Sequence, residues 1–348
     1  FLIAEFLDIP YIEVVVAAAL PALIYYFILF AQVDFMAKDN NLKGLSRSEL
    51  PRFSLLLKTR GLHLVPIFLL IFLMFGIGLQ PAKSAIISGF SAFFFGLIMR
   101  ESKLNKESLS SFVNSVSQTM IPIILIGGAA GIIVGVLNIT GLGFNLTLGL
   151  TEIGKNYGLI SMLVLTGMVA IILGMGMPTA AVYIVLSVVL APAVIEMGIP
   201  VLAAHLFIFY FGLLSMITPP VAVASFVAAG IADASMWKTS FTAMKLGIAA
   251  YLLPFLFVFN DSLLFKGTWK EILYISLTCL VSGLILSHVL RDNLKSGFRQ
   301  ILSNCFYLMC SILIGTSTLW LGRDSNLIIL VLLFGILLFY RANKNKKL

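Results

Sequence analysis

Charge is scarce in this chain. Asp, Glu, Lys and Arg make up 11% of its 348 residues, less than half of the roughly 25% found in an ordinary soluble domain, and that shortage excludes a solvated globular surface. Histidine and cysteine are rarer still, three of each. His63, His205 and His288 stand far apart with no ligand spacing around them, and Cys279, Cys305 and Cys310 fall inside apolar runs, where they read as packing residues rather than disulfides or metal ligands. No nucleophile sits beside an acid–base pair, so the chain is not read as an enzyme. The net charge of +8 does not indicate nucleic acid, because the basic residues lie in short segments between apolar runs and form no patch with interleaved aromatics. A channel would show a filter loop or a ring of charge, and neither is visible.

What the chain has in abundance is apolar length. Hydrophobic residues make up 60% of it and the mean hydropathy is +1.07. Several windows run 18 residues or more with few charges, which at about 1.5 Å per residue is the length needed to cross roughly 30 Å of hydrocarbon. The clear spans are Tyr11–Val33, Leu62–Leu79, Ala85–Met99, Phe241–Phe259, Glu271–Val289 and Ile301–Leu321, with a shorter one at Asn326–Tyr340 and a glycine-rich one at Phe112–Leu137. If these alternate across the bilayer, 17 of the 23 Lys and Arg fall on one side, in segments 34–60, 100–111, 232–240, 290–300 and the tail after Tyr340. The positive-inside rule makes that side, and the C-terminus, cytoplasmic. Membrane lipid is the first partner this implies. The opening stretch FLIAEFLDIP is apolar without the charged start of a signal peptide, and the expectation is the C-terminal portion of a longer chain.

Between Gly158 and Ile231 the pattern changes. Glu196 and His205 are the only Asp, Glu, Lys, Arg or His residues there, and the apolar run is interrupted twice. The first interruption, Gly174-Met-Gly176-Met-Pro178-Thr179, lies between Ser161–Leu173 and Ala180–Val194. Proline lacks an N–H and clashes with the preceding turn, and glycine removes side-chain restraint, so a helix should open here and free backbone carbonyls. The second, Ser215-Met-Ile-Thr218-Pro219-Pro220, lies at the centre of Ala203–Ile231 and leaves flanks too short to span. A re-entrant hairpin over 203–231 fits those lengths, with Thr218 capping the second arm and the prolines in its first turn. Freed backbone groups in a membrane are tolerated only where protein or a watery cavity satisfies them, which makes both breaks binding-site candidates. Opened carbonyls and hydroxyls suit a hard cation such as sodium, whereas a proton relay needs Asp, Glu or His, and 158–195 holds none. His205 and Glu196 flank the Gly198–Leu202 turn, expected at the cytoplasmic face as a surface pair or solvated turn.

An internal echo accompanies the breaks. Aligning Asp8 with Asp233 also matches Ala4 with Ala229, Ala18 with Ala243, Tyr26 with Tyr251 and Phe30 with Phe255, and the charge pattern gives the two copies opposite orientation. The expected fold is an all-α polytopic bundle with inverted repeats, the usual architecture of secondary transporters. Its parts are residues 1–33 as the end of a first repeat, 34–111 as a cytoplasmic loop with two scaffold spans, 112–260 as the second repeat and 261–348 as a C-terminal transmembrane extension.

The stretches EFLDIPYIEVVVAAALPALIYY, IGGAAGIIVGVLNITGLG, ILGMGMPTAAVYIVLSVVLAPA and GLLSMITPPVAVASFVAAGIA resemble the large membrane subunit of tripartite ATP-independent periplasmic (TRAP) transporters, most closely the fused permeases that work with TAXI-type binding proteins. The resemblance covers residues 1 to about 260. It implies a sodium-driven elevator in the bacterial inner membrane that receives a small solute, typically a carboxylate, from a periplasmic solute-binding protein, with Na+ as coupling ion and no other cofactor. It further implies that Gly174, Gly176, Pro178 and Thr179 help form a sodium site in a broken helix, and that Ser215, Thr218, Pro219 and Pro220 form the facing wall. A first hairpin and first broken helix of the family would lie upstream of Phe1.

Overall fold

The computed structural model describes residues 1–42, 61–98 and 106–291, with positions 44, 46, 57, 58 and 335. Every regular element among them is helical. The expected spans Ile301–Leu321 and Asn326–Tyr340 fall, but for position 335, outside the described residues, as do Cys305 and Cys310. Contacts separate two compact units, one built from residues 42–128 and the other from residues 2–41 with those after 128.

The smaller unit contains a 3₁₀ turn (Gly61–Leu64) running into α3 (Val65–Ile71) and a π turn (Phe72–Gly76), packed against α4 (Pro81–Ile98). Ser88 Oγ donates to the Pro66 carbonyl, an interhelical bond between α3 and α4. These helices coincide with the expected spans Leu62–Leu79 and Ala85–Met99. The long α5 (Lys106–Thr140) covers the glycine-rich span expected at 112–137.

The larger unit starts with α1 (Leu2–Leu7) and α2 (Tyr11–Asp39), and continues through α6 (Leu142–Tyr157), α7 (Leu159–Gly174), α8 (Thr179–Val189), α9 (Ala191–Glu196), α10 (Val201–Leu214), α11 (Val223–Ile231), α12 (Met236–Leu246), α13 (Ile248–Phe259) and α14 (Trp269–Arg291). Among the described residues three helices are long and apolar enough to cross a membrane, at Tyr11–Asp39, Met236–Phe259 and Trp269–Ser287. On α2 the buried residues Val14, Ala17, Pro21, Ile24, Ile28 and Gln32 recur every three or four positions, while Leu23, Tyr26, Phe27 and Phe30 are exposed. That is one protein-facing stripe and one apolar outer face, as lipid requires. Gln32 Nε2 donates to Ser287 Oγ at 3.1 Å, where α2 packs on α14.

At the centre lies α10, whose buried residues include Leu202, Ala203, Ala204, His205, Leu206, Phe207, Ile208, Phe211, Gly212 and Leu214. A helix buried all round belongs in a core, and α10 packs against α7, α8, α9 and α13. Pairs of contacts along these helices set their directions. Lys155 Nζ lies 3.9 Å from Glu196 Oε1, and a Cβ on Gly154 would meet Met197, so the end of α6 and the end of α9 lie together. Because α7 starts at that same place, just after the Gly158 turn, α7 must run away from it and α8–α9 must return. Residues 159–196 are therefore a helical hairpin with its tip at the first break.

The second segment behaves differently. The Phe207, Phe211 and Tyr210 rings meet Phe255, Phe255 and Phe257 at 5.5, 5.6 and 5.7 Å, and Ile217 reaches Gly247, so α13 runs antiparallel to α10. Past the break, α11 packs on α12 across the short turn 232–235, which makes that pair antiparallel too. Since Met236–Phe259 holds together as one membrane-length span, α10 and α11 point the same way, and 201–231 keeps its direction through the break. The expected assignment is reversed: the hairpin is 159–196 and the broken helix is 201–231. Counting flank lengths could not separate the two, because hairpin-then-crossing and crossing-then-hairpin use the same number of apolar residues and leave the same loop parity. The same directions fix what shares an end with the turn after α9. The Gly198–Leu202 turn lies at the same end as Lys155, and at the same end as Glu13 and Lys266, with which Val201 and Leu202 line an open cavity of about 580 Å³.

The internal echo has a backbone counterpart. Asp8 and Asp233 both adopt positive φ, 50° and 48°. Ile9 N–H bonds to the Ala4 carbonyl at 3.1 Å and Ala234 N–H to the Ala229 carbonyl at 2.9 Å, the same six-to-one closure of a helix end. Pro10 and Ser235 then open α2 and α12 with matching angles, φ −56° and −67°, ψ 135° and 123°. The α1–α2 turn and the α11–α12 turn thus repeat at one offset, while α2 leaves the Glu13–Lys266 end and α13 arrives at it.

Candidate functional site: two helix breaks in contact

Both breaks read from the sequence are present. The first runs from Met175 to Pro178. Met175 is extended (φ −62°, ψ 128°), Gly176 has φ +76°, and Pro178 (φ −66°, ψ 152°) opens α8 at Thr179. Pro178 has no N–H to offer the Gly174 carbonyl, which instead accepts from Met177 N–H at 3.4 Å, a three-residue turn in place of the α ladder. Gly176 is required on conformational grounds, since its φ is one that L side chains rarely adopt.

The second break runs from Ser215 to Ala222, with a cis peptide bond between Pro219 and Pro220. Ser215 is 2% exposed and its hydroxyl donates to the Gly212 carbonyl at 2.6 Å. Thr218 Oγ1 lies 2.6 Å from the Leu214 carbonyl and 2.6 Å from Tyr251 OH on α13. Ala224 N–H closes the turn onto the Met216 carbonyl at 3.0 Å. Here the expected cap is corrected. The residue before α11 is Ala222, no side chain caps that helix, and Pro219 and Pro220 precede it rather than forming its first turn. Thr218, four residues past the end of α10, turns its hydroxyl back to the Leu214 carbonyl.

The two breaks touch. A Cβ on Gly174 would come within 2.9 Å of Ser215 Oγ and 3.0 Å of the Gly212 carbonyl, and one on Gly176 would meet Val221 at 3.9 Å. Residues some 40 positions apart are brought together by the directions of α7 and α10, and glycine at 174 is what allows the approach. Ser215 is buried here, Thr218 and Pro219 are half-buried, and Gly176, Pro178, Thr179 and Pro220 are exposed. The joint therefore has one wall carrying the buried Ser215 hydroxyl and the half-buried Thr218 hydroxyl and one open wall, and Asp, Glu and Lys are absent from both breaks. Among the described residues no group of three or more His, Cys, Asp or Glu could hold a metal ion.

The family model for the tripartite ATP-independent periplasmic transporter DctM component matches residues 1–272. The chain belongs to the DctM family. DctM proteins are TRAP transporter permeases, which work with a periplasmic solute-binding protein and a small component, and the family is one of transporters rather than enzymes. With its membrane-crossing helices, this DctM chain is a multi-pass inner-membrane protein. Searches of the curated proteins and of the solved structures gave no match.

Sequence reasoning missed two features of this DctM chain. Tyr251, in sequence only a repeat match to Tyr26, bonds Thr218 at the second break. His205 is not at a solvated surface: it is 6% exposed, with Nδ1 2.8 Å from Tyr183 OH, and the pair ties the returning arm of the hairpin to α10. Glu196 pairs with Lys155 instead. The signal for this link was Tyr183 inside an apolar helix, since a buried phenol needs a partner.

Proposed function

We propose that this DctM chain is the sodium-coupled permease of a TAXI-type TRAP carrier, moving a small carboxylate delivered by the periplasmic binding protein. The observation that carries the reading is the contact of Gly174 with Ser215 and the Gly212 carbonyl. It joins two non-helical stretches, rich in carbonyl and hydroxyl oxygen, within apolar helices. Oxygen donors of that kind suit sodium, and the breaks contain no group that titrates near neutral pH. Gly174, Gly176, Pro178 and Thr179 supply the hairpin wall, and Ser215, Thr218, Pro219 and Pro220 the wall of the broken crossing.

In this reading the 159–196 hairpin is re-entrant from the periplasm, with Lys155, Glu196 and Lys266 on the periplasmic face. The α10–α11 crossing brings Lys238 to the cytoplasm, and the C-terminus follows there, which keeps the excess of Lys and Arg inside. The repeated α1–α2 and α11–α12 turns, with α2 and α13 running opposite ways, support inverted repeats and an elevator in which the site travels as a unit. Carboxylate and TAXI type rest on the sequence resemblance.

The test is uptake into proteoliposomes containing the permease, its small component and its binding protein, using a labelled carboxylate that the binding protein retains. Uptake driven by an inward sodium gradient at fixed pH is expected. Uptake that follows a proton gradient without sodium would replace this reading with a proton-coupled one, for which the buried Tyr183–His205 pair is the nearest candidate relay.

A further inference from the structure

Tyr251 bonds to one of the proposed ion-site hydroxyls and touches nothing else of either break that the hydrogen bonds record. The proton positions follow from elimination. The Leu214 carbonyl can only accept, so at 2.6 Å it takes the single hydroxyl proton of Thr218. Tyr251, 2.6 Å from the same oxygen, must then be the donor. Thr218 Oγ1 is thus committed in two of its three free directions, with one lone pair left. Without the phenol, that hydroxyl would keep only its bond to the Leu214 carbonyl, and its second lone pair would lose the partner that fixes its direction.

The placement of Tyr251 reinforces this. It stands one turn along α13 from Gly247, against which Ile217 of the same break is packed, with a Cβ on Gly247 falling 2.9 Å from Ile217 Cδ1. The tip of the first arm is therefore seated on the Met236–Phe259 run at two adjacent points, one apolar and one hydrogen-bonded. At the first break Met177 packs against the core, while Pro178, Thr179 and Ala180 are exposed.

We propose that Tyr251 is a positioning residue for the coupling ion: by donating to Thr218 Oγ1 it fixes the direction of the one lone pair that hydroxyl has left to offer a cation. The inference rests on the sodium reading above. It assigns no ion contact to Tyr251 itself, so losing the phenol hydroxyl should weaken ion binding without abolishing it.

The experiment measures ²²Na⁺ binding to the purified full-length chain in detergent, with choline replacing sodium to hold ionic strength. Tyr251→Phe is expected to raise the sodium half-saturation about three- to tenfold, the loss of one hydrogen bond, with the number of sites unchanged. p-Aminophenylalanine at position 251 restores a donor and should recover most of the affinity, which a packing role for the ring would not predict. Thr218→Val alone and combined with Tyr251→Phe should give the same half-saturation, because the phenol acts only through that hydroxyl. Unfolding in sodium-free buffer identifies any variant that has lost its fold. Sodium binding by Tyr251→Phe equal to the unaltered chain, or additive effects in the double variant, overturns the assignment while leaving the sodium reading intact. Absence of saturable sodium binding in the unaltered chain overturns both.

Discussion

The two breaks interrupt their helices by different means. At the second, the tip is held by several bonds: Ser215 with Gly212, Thr218 with Leu214 and Tyr251, and Ala224 N–H with Met216, while Ile217 rests on Gly247. At the first, the backbone turns on Gly176 and Pro178, two three-residue hydrogen bonds of 3.3 and 3.4 Å replace the ladder, and the outer residues are exposed. One break is built into a wall and the other leans on it through Gly174. Local stability follows the number of buried contacts and satisfied polar groups, so a helix can be opened in either a fixed or a yielding form depending on what surrounds it.

Substitutions sharpen that contrast in order of expected size. Gly174→Ala places a methyl against the Gly212 carbonyl, a backbone atom that cannot rotate away, and should cost about 1–3 kcal/mol of stability, read as a lower unfolding temperature in detergent. Thr218→Val leaves the Tyr251 hydroxyl without its acceptor and should cost about 1–2 kcal/mol, with weaker sodium binding. Gly176→Ala forces an alanine to positive φ and should cost about 1 kcal/mol, and Gly176→Asn should recover part of it because Asn tolerates that region. Thr179→Val, at an exposed position, should change stability by less than about 0.5 kcal/mol and still weaken sodium binding. Equal stability losses at Thr218 and Thr179 would erase the distinction between a fixed and a yielding wall.

Both breaks were legible in the sequence because proline and paired glycines in an apolar run have few other uses in a membrane helix. The spans were legible from length alone, and Tyr11–Asp39 and Trp269–Arg291 lie close to where hydropathy puts them. Direction was not. Whether a chain turns back at Gly174-Met-Gly176-Met-Pro178 or continues through Thr218-Pro219-Pro220 is decided by which helices it meets, and the deciding contacts (Lys155 with Glu196, Gly154 with Met197, Phe255 with Phe207) join residues 40 or more positions apart. The cap at Thr218 was misplaced for a related reason. A threonine before proline reads locally as the start of a helix, yet its hydroxyl found a carbonyl behind it and a tyrosine on another helix.

The order of hairpin and crossing is the point on which the site depends, and accessibility measures it directly. Single cysteines replacing Asn156, Glu196 and Lys238 in a cysteine-free background of the full chain would be labelled in intact cells with a membrane-impermeant maleimide. All three positions are exposed. With 159–196 a hairpin and 201–231 a broken crossing, Asn156→Cys and Glu196→Cys label from outside together, and Lys238→Cys labels only after the membrane is opened. If Glu196→Cys is protected along with Lys238→Cys, the chain crosses the bilayer between Asn156 and Glu196, and the arrangement described here is wrong.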